Sequence, residues 1–262
     1  MLHRLRKIWA APETPPRAAP VFSAPEGVRI YAVGDIHGRS RLLKKMMEAI
    51  ARDAAGKPPA TIIEIYLGDY IDRGMHSREV IDLLLAPPPA GHERRCLLGN
   101  HEDALLRFLK DPKFLRSWGN FGGYATLASY GIPIPESMSP ENLAMLRARL
   151  LQNMPPEHLQ FLRELPLRSL VGDYLFVHAG IEPGVALEAQ KRDNLLWIRN
   201  PFLNYEGFFD HYVVHGHSPL DVPEVKENRA NLDVSAAPTS SLCCLVLENT
   251  TRNLILVTDE NH

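Results

Sequence analysis

The stretch "VRIYAVGDIHG", residues 28–38, decides how this chain folds. Val28 to Val33 are almost continuously apolar, the pattern of a buried strand. An acid and an imidazole, Asp35 and His37, then stand two residues apart between Gly34 and Gly38, which would leave room for a ligand. One such cluster is no more than a polar turn, but the arrangement recurs. "TIIEIYL" (61–67) reads as a second strand, and "GDYIDRG" follows it with Asp69, Asp72 and Arg73. "RRCLLG" reads as a third, and "GNHE" follows with Asn100, His101 and Glu102. Later, "YLFVHAG" ends in His178 and "HYVVHGHSP" in His215 and His217. Ligands of open α/β sheets bind at the carboxyl ends of the strands. Five polar clusters at five strand ends therefore predict one shared site.

The residue types point to metal. Asp, Asn and His without Cys suit divalent ions such as Mn, Fe, Zn or Co. A central carboxylate can bridge two ions about 3.5–4 Å apart, a spacing that serves displacement at phosphorus. The remaining His76, His92, His158 and His211 read as surface or hydrogen-bonded core residues.

Helical patterns lie between the strands. "SRLLKKMMEAIARDAA" carries Leu42, Leu43, Met46 and Ile50 at helical spacing. "SREVIDLLL" starts from a cap at Ser77 and stops before Pro87, and "HEDALLRFLK" follows the third strand. Strand, loop and helix repeat three times, so the fold class is α/β with a largely parallel sheet under helices. About residues 118–165 read as a helical insertion between two strand-rich halves of one domain. Within it, "GNFGGYATLASYG" (119–131) reads as a loop entering a helix. Its Phe121, Tyr124 and Tyr130 either line the mouth of the site or pack in the core. After the insertion the strands are "YLFVHAG", "HYVVHGHSP", "NLDVSA" and "SLCCLVLE".

Composition narrows the class. Of 262 residues, 45% are hydrophobic and 23% charged, an ordinary globular balance. A formal charge of −2 argues against a nucleic-acid partner. Cys96, Cys243 and Cys244 make neither a disulfide framework nor a metal spacing, which fits a reducing, cytoplasmic setting. Residues 1–26 read as a disordered Pro/Ala-rich leader and 27–260 as the domain. No stretch reaches the roughly 18 apolar residues of a membrane span. The basic-apolar start "MLHRLRKIWA" allows weak contact with an anionic membrane surface. Nothing in the sequence sets the oligomeric state.

The ordered set "GDIHG", "GDYIDRG", "GNHE", "VHAG" and "HGHSP" resembles the calcineurin-like metallophosphoesterases, and within them the serine/threonine phosphoprotein phosphatase branch with its bacterial-like members. The resemblance implies a four-layer fold, a β-sandwich flanked by helices, with a dinuclear site at the strand ends. It implies two divalent ions, Mn²⁺ serving best in vitro and Fe, Zn or Co being alternatives. Asp35 and His37 resemble ligands of one ion, Asp69 the bridging carboxylate, and Asn100, His178 and His217 ligands of the other. His217 fits better than His215 because it directly follows the Gly. His101 resembles the proton donor and Asp72 the acid that orients it. Arg73 resembles a phosphate clamp, as does Arg199 in "LLWIRNP"; Asn100 also faces substrate. A hydroxide shared by the ions would attack phosphorus, with no phosphoenzyme.

The expected substrate is a phosphorylated protein. The alternative is a diadenosine polyphosphate or other small phosphoester, with phosphotyrosine activity also in range. "GNHE" favours the phosphoprotein branch over "GNHD" relatives. A catalytically dead scaffold would have lost a ligand or the acid, and none is missing. Relatives carry Asp-Thr-Gly near the last core strands, whereas this chain reads Asp233-Val234-Ser235, so that turn is expected to differ.

Overall fold

The structure is a computed structural model and describes residues 19–56, 61–235 and 241–259. In chain order it runs β1 (Val28–Val33), α1 (Ser40–Ala54), β2 (Thr61–Tyr66), α2 (Ser77–Leu85), β3 (His92–Cys96) and α3 (Asn100–Lys110). A helical stretch follows, with α4 (Leu115–Trp118), α5 (Gly123–Ser129), α6 (Pro140–Asn153) and α7 (Pro156–Glu164). The second half has β4 (Arg168–Val171), β5 (Tyr174–Val177), α8 (Arg192–Trp197), α9 (Asn200–Leu203), β6 (Tyr212–His215), β7 (Glu224–Val225) and β8 (Arg229–Asn231). It closes with β9 (Ser241–Glu248) and β10 (Thr251–Thr258).

The strands form two sheets, ordered β10-β9-β1-β2-β3 and β4-β5-β6-β8-β7. The sheets pack face to face, with Ile30, Ile63 and Leu245 of the first meeting Tyr174, Phe176 and Val214 of the second. The outer face of the first sheet lies under α1 to α7 and that of the second under α8 and α9. The result is the expected four layers. A strand buried on both faces must be apolar at successive positions. In β9, Cys243, Leu245 and Leu247 face the other sheet, while Leu242, Cys244 and Val246 face the helices.

Neither sheet is wholly parallel. In the first, β1, β2 and β3 are parallel, but β9 and β10 run antiparallel as a hairpin beside β1. Apolar patterning marks "SLCCLVLE" as the last strand and does not single out β10. Its signal was the tight turn after Glu248, where Asn249 adopts φ 51°, a backbone Asn tolerates. In the second sheet β5, β6 and β8 are parallel, with β4 and β7 antiparallel at the edges. The six parallel strands thus send their carboxyl ends to one edge of the sandwich.

The expected leader falls mostly on residues 1–18, outside the described residues. Residues 19–26 lack regular structure, yet Phe22 and Ala24 are buried between the sheets. Among the described residues, no helix is long and apolar enough to cross a membrane.

Candidate metal centre

Each parallel strand ends in a polar side chain at the common edge. Asp35 and His37 follow β1, Asp69 and Asp72 follow β2, and Asn100 and His101 follow β3. His178 follows β5 and His217 follows β6. Asp233, after β8, adds a sixth cluster that the sequence reading noted only as a departure. The turns are sharp. Six non-glycine residues have positive φ among the described residues, and five are His37 (48°), Asp69 (54°), Asp72 (72°), Arg73 (63°) and His217 (64°). Such backbone is costly for residues with a Cβ and collects at functional sites. Gly34 and Gly38 serve these turns and leave no space for an ion. A Cβ on Gly34 would lie 2.3 Å from Leu232 O, and one on Gly38 2.4 Å from Gly74 O.

Asp69 stands at the centre, 2% exposed. His37, Asp69 and His101 offer ligand atoms within 4.8 Å of one another, as do Asp69, His178 and His217. Asn100 joins the second group, its Oδ1 2.8 Å from both His178 Nε2 and His217 Nδ1. His215 does not join; it is buried, with its ring edge-on to Phe202. Asp35 sits beside the second group, its carboxylate accepting the His217 N–H at 3.2 Å. Burial pushes its carboxyl well above the usual range, and the Asp233 and Asp69 charges add to that.

The histidine tautomers show what the donor set can hold. His37 Nδ1 lies 3.1 Å from Ile71 O, and His178 Nδ1 2.9 Å from Leu67 O. A carbonyl only accepts, so each Nδ1 carries the hydrogen and each neutral ring presents a bare Nε2. Burial keeps both rings neutral by pulling their pKa values down. Yet His37 Nε2 lies 3.8 Å from Asp69 Oδ2, and His178 Nε2 lies 3.4 Å from Asp69 Oδ1. Acceptors facing acceptors repel unless a cation lies between them. His217 Nε2 is also buried without a partner. The residues fit divalent ions, with Nδ1 of His37 and of His178 oriented by a backbone carbonyl, as is usual for metal-binding histidines.

His101 differs. Its Nδ1 is 2.7 Å from Asp72 Oδ2 and its Nε2 3.6 Å from Asp69 Oδ2. Burial pulls its pKa down, but the charges of Asp69 and Asp72 outweigh that and raise it to about 8. His101 is thus the ring that keeps a proton. Asp72 is buried and takes further bonds from Trp118 Nε1 (2.7 Å) and Thr126 Oγ1 (2.5 Å). Ser77, expected as a helix cap, is instead the first residue of α2, and its Oγ accepts the Asp72 N–H at 3.1 Å.

The first turn of α3 carries three parts of the site. Asn100 and His101 point to the groups above, and Glu102 points behind them. Glu102 Oε2 accepts from Gly99 N (3.0 Å) and Asp69 N (2.9 Å), and Oε1 from Tyr70 N (2.8 Å) and Ile71 N (3.2 Å). Burial pushes its carboxyl up, and so does the Asp69 charge. Four N–H groups on its two oxygens leave no acceptor for an acid proton, so the ionised form fits.

The arginines lie at the rim and both are exposed. Arg73 Nη1 is 3.5 Å from Ser235 Oγ, and Arg199 Nη2 donates to His217 O at 3.1 Å. Asp233 is buried, and its Oδ1 accepts the Ser235 N–H at 2.9 Å, so the departing turn sets a hydroxyl beside Arg73. Phe121 lies at the site, its ring 6.1 Å from His101 and 5.7 Å from Trp197, whereas Tyr130 is buried in the core. His158 is also buried, between Asp82 Oδ1 and Tyr130 OH, each at 2.9 Å.

Comparison with known proteins gives a consistent picture. The family model for the calcineurin-like phosphoesterases matches residues 28–240. A symmetrical bis(5'-nucleosyl)-tetraphosphatase of Methylococcus capsulatus is 29% identical over 154 residues, 59% of this chain and 44% of its own. The serine/threonine-protein phosphatase 2B catalytic subunit A2 of Saccharomyces cerevisiae is 31% identical over 156 residues, 59% of this chain and 20% of its own. The chain thus spans less than half the length of either relative. A cold-active protein-tyrosine phosphatase of the psychrophile Shewanella sp. shares the fold, with a TM-score of 0.56 at 18% identity, covering 88% of this chain and 80% of that one.

Proposed function

This chain belongs to the calcineurin-like phosphoesterases, and from that premise we propose that it is a phosphomonoesterase acting on phosphoserine or phosphothreonine in proteins. The observation that supports this reading is the His101–Asp72 pair, 2.7 Å apart and buried. A serine or threonine alkoxide is a poor leaving group and needs a proton as it departs. A nucleotide released from a polyphosphate is a much better one and needs no such donor.

In this reading Asp35, His37 and Asp69 would hold one divalent ion, and Asp69, Asn100, His178 and His217 would hold the other. Two ions bound there supply positive charge for the phosphoryl group and make a water nucleophilic near neutral pH. We infer Mn²⁺ as the best metal in vitro. Arg73 and Arg199 clamp the phosphoryl oxygens, for which the planar guanidinium is shaped. Asn100 would offer an amide oxygen to an ion without adding negative charge. His101 gives its Nε2 proton to the departing oxygen, and Asp72 keeps the ring charged and turned toward it. The reading includes a cytoplasmic setting, supported by the free Cys96, Cys243 and Cys244.

The second reading is hydrolysis of dinucleoside tetraphosphates, which the Methylococcus relative favours. A panel of phosphopeptides, small phosphoesters and diadenosine tetraphosphate, assayed with Mn²⁺ alone, separates the two. Highest kcat/KM on phosphoserine or phosphothreonine peptides is expected, with EDTA abolishing turnover. A clear preference for the tetraphosphate would install the second reading, and turnover surviving thorough chelation would overturn both.

A further inference from the structure

The helical stretch between α3 and β4 reaches into the site at two points that sequence reading did not assign. Trp118, at the end of α4, and Thr126, in α5, are both wholly buried. The Trp118 Nε1–H donates to Asp72 Oδ2, the same oxygen that meets His101 Nδ1, each at 2.7 Å. The Thr126 hydroxyl donates to Asp72 Oδ1 at 2.5 Å and accepts the Asp72 N–H at 2.9 Å. Asp72 itself stands at φ 72°, a conformation that needs support from its surroundings. Each carboxylate oxygen therefore has a fixed donor besides the imidazole, and the backbone of Asp72 is tied to the same hydroxyl.

We propose that Trp118 and Thr126 are positioning residues for proton donation: they lock the Asp72 carboxylate so that it presents His101 Nε2 to the leaving oxygen. The inference rests on the reading of His101 as the proton donor. In that step the bond from phosphorus to the leaving oxygen breaks, its electron pair stays on that oxygen, and the Nε2–H proton passes to it. A water supplies the new oxygen on phosphorus. Trp118 also packs on Phe108, with ring centroids 5.2 Å apart, so the N–H must be tested apart from the ring.

Leaving-group dependence makes that separation. Metal-loaded His101→Asn, Trp118→Phe, Thr126→Val and Thr126→Ser are assayed on a phosphoserine peptide and on 2,4-dinitrophenyl phosphate, whose leaving group needs no proton. His101→Asn should lose much of kcat on the peptide and little on the aryl ester. Trp118→Phe and Thr126→Val should follow the same pattern, with about a tenfold loss of kcat on the peptide and under about twofold on the aryl ester. Thr126→Ser, which keeps the hydroxyl, should restore activity on the peptide. Equal losses on both substrates, or no loss on either, would reduce the two residues to ordinary core and overturn the inference. If His101→Asn itself shows no leaving-group dependence, the proton-donor reading fails and the inference falls with it. Two separate residues keep the test decisive should one variant not fold.

Discussion

Replacing Glu102 by Gln tests how the centre is held together. The carboxylate is 0% exposed and takes four backbone N–H bonds of 2.8 to 3.2 Å, joining the loop after β2 to the start of α3. Gln keeps one acceptor oxygen and turns an NH₂ group toward two of those donors. Two bonds to a charged acceptor are lost, worth about 1.5–3 kcal/mol each. Relief from burying a charge offsets part of this, so we expect a net loss of about 3 kcal/mol. For a domain of this size that lowers Tm by roughly 6–12 °C. Because Asp69 N and Gly99 N flank ligand positions, metal affinity should fall roughly 10–100-fold as well. Glu102→Asp keeps the charge but is one methylene too short to bridge both loops, so it should also destabilise. Urea denaturation of the metal-free protein and Mn²⁺ titration by calorimetry measure both effects. If Glu102→Gln unfolds within about 1 kcal/mol of the parent and binds Mn²⁺ equally well, the carboxylate is not the anchor. The same outcome would mean that Glu102 is protonated in the fold, since Gln mimics the acid form.

Three further outcomes are expected. In Gly216→Ala the new Cβ would fall 2.0 Å from Asp35 Oδ1, so Asp35 must move; metal-free stability should change little while Mn²⁺ affinity drops, and unchanged Mn²⁺ binding would remove Asp35 from the ligand set. Asp69→Asn takes the shared carboxylate from both histidine groups, so bound metal should fall well below that of the parent by elemental analysis; full, tight metal occupancy would rule out a bridging role. Adding Mn²⁺ to the metal-free protein should raise Tm in a concentration-dependent way, the native state gaining about 4 kcal/mol when Mn²⁺ stands at a thousandfold its Kd; a Tm indifferent to Mn²⁺ would argue against a site in the native state.

Much of this molecule is legible along the chain because parallel strands end where their chemistry begins. The boundaries of β1 and α1 follow directly from apolar periodicity, and Leu42, Leu43, Met46 and Ile50 are the buried face of α1 as the spacing implied. The polar clusters are legible because each sits immediately after its strand. The antiparallel β9–β10 hairpin was less so, since β10 carries exposed Leu254 and Leu256 and no polar terminus to mark it. The support around Asp72 is beyond reach of a linear reading. Trp118 and Thr126 meet it from 46 and 54 residues away, and although Thr126 lies within the 119–131 segment, nothing in that segment's pattern points to Asp72. Ser77 illustrates the same limit, as a hydroxyl at a helix start reads as a cap until the fold supplies a better partner. Glu102 was visible within "GNHE", and Gly99 is its neighbour there, but its other three partners, Asp69, Tyr70 and Ile71, lie in the loop after β2, which the parallel pairing of β2 with β3 brings to it.

The first turn of α3 has a consequence for how such a centre can change. Asn100, His101 and Glu102 are consecutive, so their side chains fan out by about 100° from one to the next. Turning the helix slightly would shift all three, each in its own direction. The turn therefore behaves as an interlock, in which geometry cannot be tuned for one function while the others are spared. If Arg73 and Arg199 clamp the phosphoryl group as proposed, divergence in substrate choice is expected at such rim side chains, with this turn changing as a block or not at all.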